Sequence, residues 1–266
     1  MKPPLTYYGG KQMLSKLIVS LIPPHKIYCE PFFGGGAVFF AKTPSKLEVI
    51  NDTNGELINF YRVIRTRFKQ LDKEIKSTLH SRDLHQTAKI VLGYPQLFDE
   101  VKRAWAIWTL ANQSYASKLN GNWGYDKKES RSVKQLHSKR ASFTDEYAER
   151  LEQVQIENRD ALKIIDTWDN KNAFFYCDPP YINTNQGHYR GYTDENFEKL
   201  LLTLSKIKGK FLLSSYPSEM LTKYVKQNNW FIKRVDMPLA LASNSNFKSK
   251  RKIEILIANY QEQPSL

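Results

Sequence analysis

Cysteine is almost missing from this chain: Cys29 and Cys177 are the two in 266 residues. Two thiols cannot build a disulfide framework, and no pair of Cys-x-x-Cys motifs is present to hold a structural zinc. No metal site is expected. Long apolar runs are missing too, since none approaches the ~18 residues that cross a bilayer. The opening Met1-Lys2-Pro3-Pro4 does not read as a signal peptide. No membrane segment is therefore expected, and the cytoplasm is the expected compartment. There is no internal repeat. Acids are scarce, with 27 Asp and Glu against 40 Lys and Arg, a formal charge of +13. That excess points to a polyanionic partner. Apolar residues make up 41% of the chain, enough to core one large domain or two small ones.

What is present centres on Tyr176-Cys177-Asp178-Pro179-Pro180-Tyr181. The apolar run Ala173-Phe174-Phe175 before it reads as a buried strand. The two prolines stop that strand, because neither has an N–H to give to a ladder. An acid, two rigid peptides and an aromatic ring are thus presented at the carboxyl end of a strand, where open α/β sheets bind ligands. Ionised Asp178 accepts and does not donate. The Pro179 carbonyl is a second, rigid acceptor, and the Tyr181 ring offers a face for a planar base. The set suits an exocyclic amine that gives both hydrogens and keeps its lone pair. Alternatively, it is a strand-ending turn with an Asp cap.

Other strand ends repeat the pattern. Ile27-Tyr28-Cys29-Glu30 runs into Pro31-Phe32-Phe33-Gly34-Gly35-Gly36 and then a helix from about Ala37. This is a βα turn in which glycine allows a ligand to approach backbone closely. It lacks the G-x-G-x-x-G spacing, so its ligand need not carry a pyrophosphate. Leu47 to Ile50 ends at Asn51-Asp52, and Asp52 lies 16 residues after Gly36. That is near the spacing of about 20 at which an acid reaches ribose hydroxyls; the alternative is a helix cap for the run from Gly55. Asp160, after the strand Val154 to Glu157, either caps a helix or accepts from an amino group. At the start, Tyr7-Tyr8-Gly9-Gly10-Lys11 is a glycine turn before a helix, Met13 to Leu21, with anion binding as the alternative.

Between the α/β segments the periodicity turns helical, over Phe60 to Leu79 and Leu97 to Ala116. Lys118 to Arg140 then holds seven Lys or Arg against two Asp or Glu, around Asn120-Gly121-Asn122-Trp123-Gly124-Tyr125. Asn-Gly signals a hairpin, and bases interleaved with aromatics suit nucleic acid. The candidate contacts are Lys118, Asn120, Asn122, Tyr125, Lys127, Lys128, Arg131 and Lys134, with Lys248 and Lys250 from a second basic stretch near the carboxyl end.

Taken in order, Tyr-Tyr-Gly-Gly-Lys, Glu-Pro-Phe-Phe-Gly-Gly-Gly, Asn-Asp-Thr-Asn, Asn-Arg-Asp, Asp-Pro-Pro-Tyr and the terminal Arg-Lys-Ile-Glu-Ile-Leu-Ile-Ala-Asn-Tyr span nearly the whole chain. This ordered set resembles the Dam-type DNA N6-adenine methyltransferases, which use S-adenosylmethionine. The resemblance implies a Rossmann-like α/β domain, residues 1–60 and 153–266, with a seven-stranded, mostly parallel sheet, helices on both faces and the last strand antiparallel. It implies an inserted, mainly helical DNA-recognition domain over residues 61–152. Tyr7 (often Trp in the family), Gly10 and Lys11 line the cofactor side. Glu30, Pro31, Phe32, Phe33, Gly34 and Gly36 wrap the methionine part, Asp52 holds the ribose, and Asp160 accepts from the cofactor's adenine. Asp178, Pro179, Pro180 and Tyr181 form the catalytic set on a flipped adenine in double-stranded DNA. A monomer is expected, with a cognate restriction endonuclease as a candidate partner.

Three other readings compete. Protein-glutamine methyltransferases usually carry Asn in place of Asp178 and lack the basic insert. An RNA adenine N6-methyltransferase has the same site chemistry. A DNA-binding protein that has lost catalysis has no use for the intact acids. Finally, Cys29 and Cys177 each precede the acid that ends a strand, so neighbouring strands are expected to set them side by side as buried thiols.

Overall fold

The computed structural model describes residues 1–7, 9–127, 129–182, 191–238 and 251–261. In chain order its elements are α1 (Ser15–Ser20), β1 (Ile27–Glu30), α2 (Ala37–Ala41), β2 (Leu47–Asn51), α3 (Gly55–Ser77), α4 (Arg82–Gly93), α5 (Glu100–Gln113), α6 (Arg131–Ala141), α7 (Glu146–Leu151), β3 (Val154–Glu157), α8 (Ala161–Trp168), β4 (Ala173–Cys177), α9 (Asp194–Leu204), β5 (Lys210–Ser215), α10 (Glu219–Asn228), β6 (Phe231–Pro238) and β7 (Arg251–Ala258). The described residues form two compact units. One draws on Met1–Val19, Gly34–Thr43 and Asp52–Asn158, the other on Ser20–Phe33, Pro44–Asn51 and Arg159–Leu266.

Among the described residues the strands make one seven-stranded sheet in the order β3-β2-β1-β4-β5-β7-β6. β1 is parallel to β2 and β4, and β4 is parallel to β5. β7 is antiparallel to both β5 and β6, so the last strand is inserted between its neighbours rather than added at an edge. The expected mostly parallel α/β sheet is what forms. Its strand order reverses between β1 and β4, the switch point where open α/β sheets leave a crevice beyond the strand ends. Glu30 ends β1 and Asp178 follows β4 there.

The alternation along the strands divides their side chains between two faces. On one face Cys29, Val49, Phe175, Cys177, Phe211, Leu213 and Ile257 meet Ile164 and Ile165 of α8, Phe197 and Leu200 of α9, and Leu221 and Val225 of α10. On the other, Tyr28 stacks on Phe174, with His25 and Tyr260 against the same rings. β4 is buried at every position, which explains its unbroken apolar run.

The register corrects the expectation for the cysteines. Cys29 lies opposite Phe175, and it is Leu213 that lies opposite Cys177. β4 runs two residues past the β1 ladder before its acid, so strand spacings put the two Cα atoms roughly 8 Å apart. That exceeds the disulfide range of about 4.4–6.8 Å. Both remain buried thiols, and burial, with Asp178 and Glu30 nearby, pushes the Cys177 thiol up in pKa.

In the other unit α3 packs along α5, and α4 packs on α5. α3 starts ahead of its apolar period because Asn54 caps it, accepting from Glu56 N at 3.1 Å and Leu57 N at 3.2 Å. Asp99 caps α5, where the sequence pattern had run from Leu97, by accepting from Lys102 N at 2.8 Å. Trp105 Nε1 donates to Thr78 Oγ1 at 2.7 Å, tying the end of α3 to α5. α4 lies in a stretch that the sequence pattern left unassigned. Its buried face holds Ala88, Val91 and His85, a weak apolar signal carrying a histidine.

His85 Nε2 lies 2.9 Å from Ser114 Oγ, and burial, then Lys89 and Arg82, lowers its pKa to about 4. An unfolded histidine titrates near 6.5. Between these values the unfolded chain binds the extra proton, so this part of the stability is present above about pH 6.5 and lost as pH falls toward 4. His85→Gln should remove an acid-sensitive contribution on the order of 2–3 kcal/mol. Urea unfolding of both proteins at pH 7.5 and pH 4.5 checks it: the wild type should lose more stability than the variant.

Candidate active site

β4 delivers Asp178 half-buried, followed by buried Pro179. The Tyr181 hydroxyl lies 3.2 Å from Asp178 Oδ1 and closer still to Glu254 Oε1. Glu254 sits on β7, fully buried in a strand that is otherwise apolar around it. Lys252, two residues earlier on the same strand, places Nζ 3.3 Å from Glu254 Oε2 and donates to Tyr216 Oη at 3.3 Å. The Tyr216 ring meets Tyr181 edge to face, with centroids 4.5 Å apart. Burial, then the charges of Asp178 and Glu254, holds the Tyr181 phenol well above its ordinary pKa, so it keeps its proton. Burial works against the Lys252 charge, but Glu254 and Tyr216 outweigh it, and the ammonium pKa is raised.

At the end of β1, Glu30 is also buried and accepts from the hydroxyl of Tyr28, two residues back on the same strand. Asn51, at the end of β2, joins three chain segments. Its Nδ2 donates to Pro31 O at 2.9 Å and Arg159 O at 3.0 Å, and its Oδ1 accepts from Arg159 N at 2.9 Å. Phe33 N donates to Asn51 O at 2.9 Å. Phe32 is half-buried, edge-on to Tyr192 at 6.5 Å. Asp160 is the N-cap of α8. Its Oδ1 accepts from Leu162 N at 3.0 Å and Lys163 N at 3.3 Å, and both bonds fall on that one oxygen.

In the other unit, the glycine bend is shaped by Tyr7. Gly34 and Gly36 have φ of 50° and 68°, a region that side chains disfavour. A Cβ on Gly35 would come within 2.8 Å of the Tyr7 Cβ, so Gly35, absent from the sequence-derived set, has no room for a side chain. Asp52 fastens the bend: Oδ2 accepts from Gly34 N and Oδ1 from Asn54 N, both at 2.9 Å. The Tyr61 hydroxyl donates to Gly34 O at 2.9 Å. The helix cap considered for Asp52 thus belongs to Asn54. Gly10 N donates to Tyr7 O at 3.0 Å, closing the first turn, and Lys11 Nζ donates to Gly9 O at 3.2 Å.

The basic segment is also in this unit. Gly121 N donates to Lys118 O at 2.8 Å, and one antiparallel bridge joins Ser114 to Trp123, a reduced form of the expected hairpin. Asn120, Asn122, Tyr125, Lys127, Arg131 and Lys134 are exposed and Lys118 is half-exposed. Arg131 pairs with Glu129 at 2.7 Å. Lys128, Lys248 and Lys250 lie outside the described residues. The sequence pattern missed a stack built on the same loop. The Arg82 guanidinium lies 4.8 Å from the Trp123 ring, Trp123 stacks on Tyr125, and His80 lies against Trp123. Buried Gln113 anchors it, accepting from Ser81 N at 3.1 Å and Trp123 Nε1 at 3.4 Å. Glu254 was missed as well, although a lone acid inside Ile253-Glu254-Ile255-Leu256-Ile257 is itself a signal.

Residues 7–237 match the family model of the D12 class N6 adenine-specific DNA methyltransferases. The type II methyltransferase M1.LlaDCHI of Lactococcus lactis subsp. cremoris is 28% identical, over 98% of this chain and 96% of its own. The type II methyltransferase M.MjaIII of Methanocaldococcus jannaschii is also 28% identical, over 98% of this chain and 99% of its own. A solved structure of a precorrin 8w decarboxylase from Methanobacterium thermoautotrophicum covers 98% of this chain and 96% of its own, with 9% identity and a TM-score of 0.43.

The Asp52 geometry makes a prediction about stability. Asp52→Ala leaves the Gly34 and Asn54 N–H groups without this acceptor in a buried position, at about 1–3 kcal/mol each. Asp52→Asn keeps one acceptor oxygen and should lose roughly half as much. Urea unfolding of the three proteins should rank wild type, Asn, Ala.

Proposed function

The chain belongs to the D12 class of N6 adenine-specific DNA methyltransferases and is a DNA adenine methyltransferase; we propose that it works on an adenine turned out of duplex DNA, held by Asp178, Pro179, Pro180 and Tyr181. The observation that carries this reading is an acceptor set at the end of a fully buried strand, beside a hydroxyl within reach of two carboxylates. Asp178 and the Pro179 carbonyl take the two hydrogens of the exocyclic amine. That draws its lone pair out of the ring and aims it along one direction, so the gain comes from positioning and preorganised polarity. The Tyr181 ring stacks on the base and offsets part of the few kcal/mol spent on unstacking it. After transfer, the amine proton leaves toward Asp178.

S-adenosylmethionine supplies an electrophilic sulfonium methyl when bound, and the residues fit it. The buried acid Glu30 offers acceptors to an ammonium, and Asp52 offers acceptors to ribose hydroxyls. Asp160 caps through Oδ1 and takes the cofactor's amino group as well. Tyr7, Gly10, Lys11, Pro31, Phe32, Phe33, Gly34 and Gly36 complete the cofactor set.

Residues 61–152 are the recognition region, with Lys118, Asn120, Asn122, Tyr125, Lys127, Lys128, Arg131 and Lys134 on DNA and Lys248 and Lys250 assisting. No helix among the described residues is long and apolar enough to cross a membrane. We read the protein as a cytoplasmic monomer, with a cognate restriction endonuclease as its candidate partner. Incubation with plasmid and S-adenosylmethionine, followed by sequencing for modified bases, tests the reading. N6-methyladenine at one recurring sequence is expected; methylation confined to RNA, or none, overturns it.

Two outcomes follow from the roles. Asp178→Ala should lower turnover by at least about a hundredfold, the scale for one preorganised polar group. Calorimetric binding of S-adenosylmethionine should change little. Replacing Lys127, Lys128 and Lys134 with Ala should flatten the salt dependence of DNA binding by about 0.9 in slope per lost phosphate contact. Arg131 should contribute less, because Glu129 already holds it.

A further inference from the structure

Tyr181 has one hydroxyl hydrogen and two carboxylates within reach of it, Asp178 Oδ1 at 3.2 Å and, closer, Glu254 Oε1. We infer that Glu254 is a positioning residue that takes the Tyr181 hydrogen and so keeps it off Asp178, the acceptor that the substrate amine needs. This rests on the reading of Asp178 as that acceptor. An amine N–H and a phenol O–H compete for the same lone pairs, and the phenol is tethered three residues away. Glu254 resolves the competition, because a fully buried carboxylate that accepts at close range outbids one at 3.2 Å. Lys252 places its ammonium 3.3 Å from the other oxygen of Glu254, so that oxygen faces a positive charge. Tyr216 fixes the arrangement from the side, touching the Tyr181 ring and accepting from Lys252.

The four groups give a test that packing alone does not mimic. Glu254→Gln is isosteric, but an amide has an acceptor end and a donor end. Lys252 has only donors, so it claims the acceptor end. The amide NH2 then faces the Tyr181 oxygen and drives the hydroxyl hydrogen toward Asp178. Turnover should fall about tenfold, the worth of one hydrogen bond of ordinary strength, with binding of S-adenosylmethionine unchanged. Adding Lys252→Met lets the amide turn its oxygen to Tyr181, and most of the loss should be recovered. A Glu254→Gln protein as fast as wild type overturns the inference, and so does a double variant no faster than the single.

A second measurement is independent of both activity and the folding of Glu254 variants. Tyr181→Phe removes the hydroxyl alone. With 13C-labelled carboxylates, the Glu254 resonance should move on that change and the Asp178 resonance should stay within about a third of that shift. The reverse pattern overturns the inference. If the wild type itself transfers no methyl group to DNA, the proposed function fails, while the carboxylate spectra still decide where the Tyr181 hydrogen lies.

Discussion

Buried backbone N–H groups must find acceptors, and the loops at the carboxyl ends of the strands are where this constraint is tightest. The chain meets it with side chains at the ends of strands and the starts of helices. Asn51 accepts from Arg159 N after β3, Asp52 from the glycine bend and Asn54 from the start of α3, and exposed Asp160 does the same at the start of α8. Each such acceptor is worth about 1–3 kcal/mol if removed, so several together rival the whole net stability of a domain. Asp52 and Asp160, which we propose meet the cofactor, thus also hold their own loops still. Preorganisation is a consequence of folding here and needs no separate device.

The distribution of charge follows the same logic. A chain of formal charge +13 still buries acids more readily than bases in its sheet: Glu30 and Glu254 lie there with a tyrosine hydroxyl against each carboxylate. A buried carboxylate survives where donors surround it. In the other unit Lys127, Arg131 and Lys134 stand in solvent, where long-range attraction to phosphates costs no desolvation. Buried acids thus meet short-range donors in one unit, while exposed bases stand in solvent in the other.

The sheet was legible in the sequence because short, largely apolar strands stop at Glu30-Pro31, Asn51-Asp52, Glu157-Asn158 and Asp178-Pro179, and these stops survive folding. Asp178-Pro179-Pro180-Tyr181 stood out for the same reason. Three things were not legible. α4 has a short apolar face interrupted by His85, so its period is weak. The register of the cysteines depends on how far β4 runs past its neighbour, and stop signals mark ends rather than pairings. The Glu254–Tyr181 contact spans 73 positions and depends on β7 being inserted beside β5, which no local pattern reveals. Trp123 was noticed as one aromatic among bases, but its partner Arg82 comes from a helix that the sequence pattern did not show.

The prolines after Asp178 acquire a further meaning beside Glu254. A backbone N–H at position 179 or 180 would be a donor within a residue or two of the Asp178 carboxylate, and Asx-type bonds to N–H groups at that distance are common. Asp52 shows the alternative within this chain: followed by Thr53 and Asn54, it spends Oδ1 on the Asn54 N–H. Pro179 and Pro180 delete both donors outright, since proline has no N–H. Tyr181 then brings in a new donor, and the Glu254 carboxylate lies nearer that hydroxyl than Asp178 does. The backbone donors one and two residues on are therefore absent, and the Tyr181 hydroxyl lies closer to Glu254 than to Asp178. A strand stopped by another turn would place the same carboxylate at the same end of β4 with backbone N–H donors one and two residues away, as Asp52 has at Asn54.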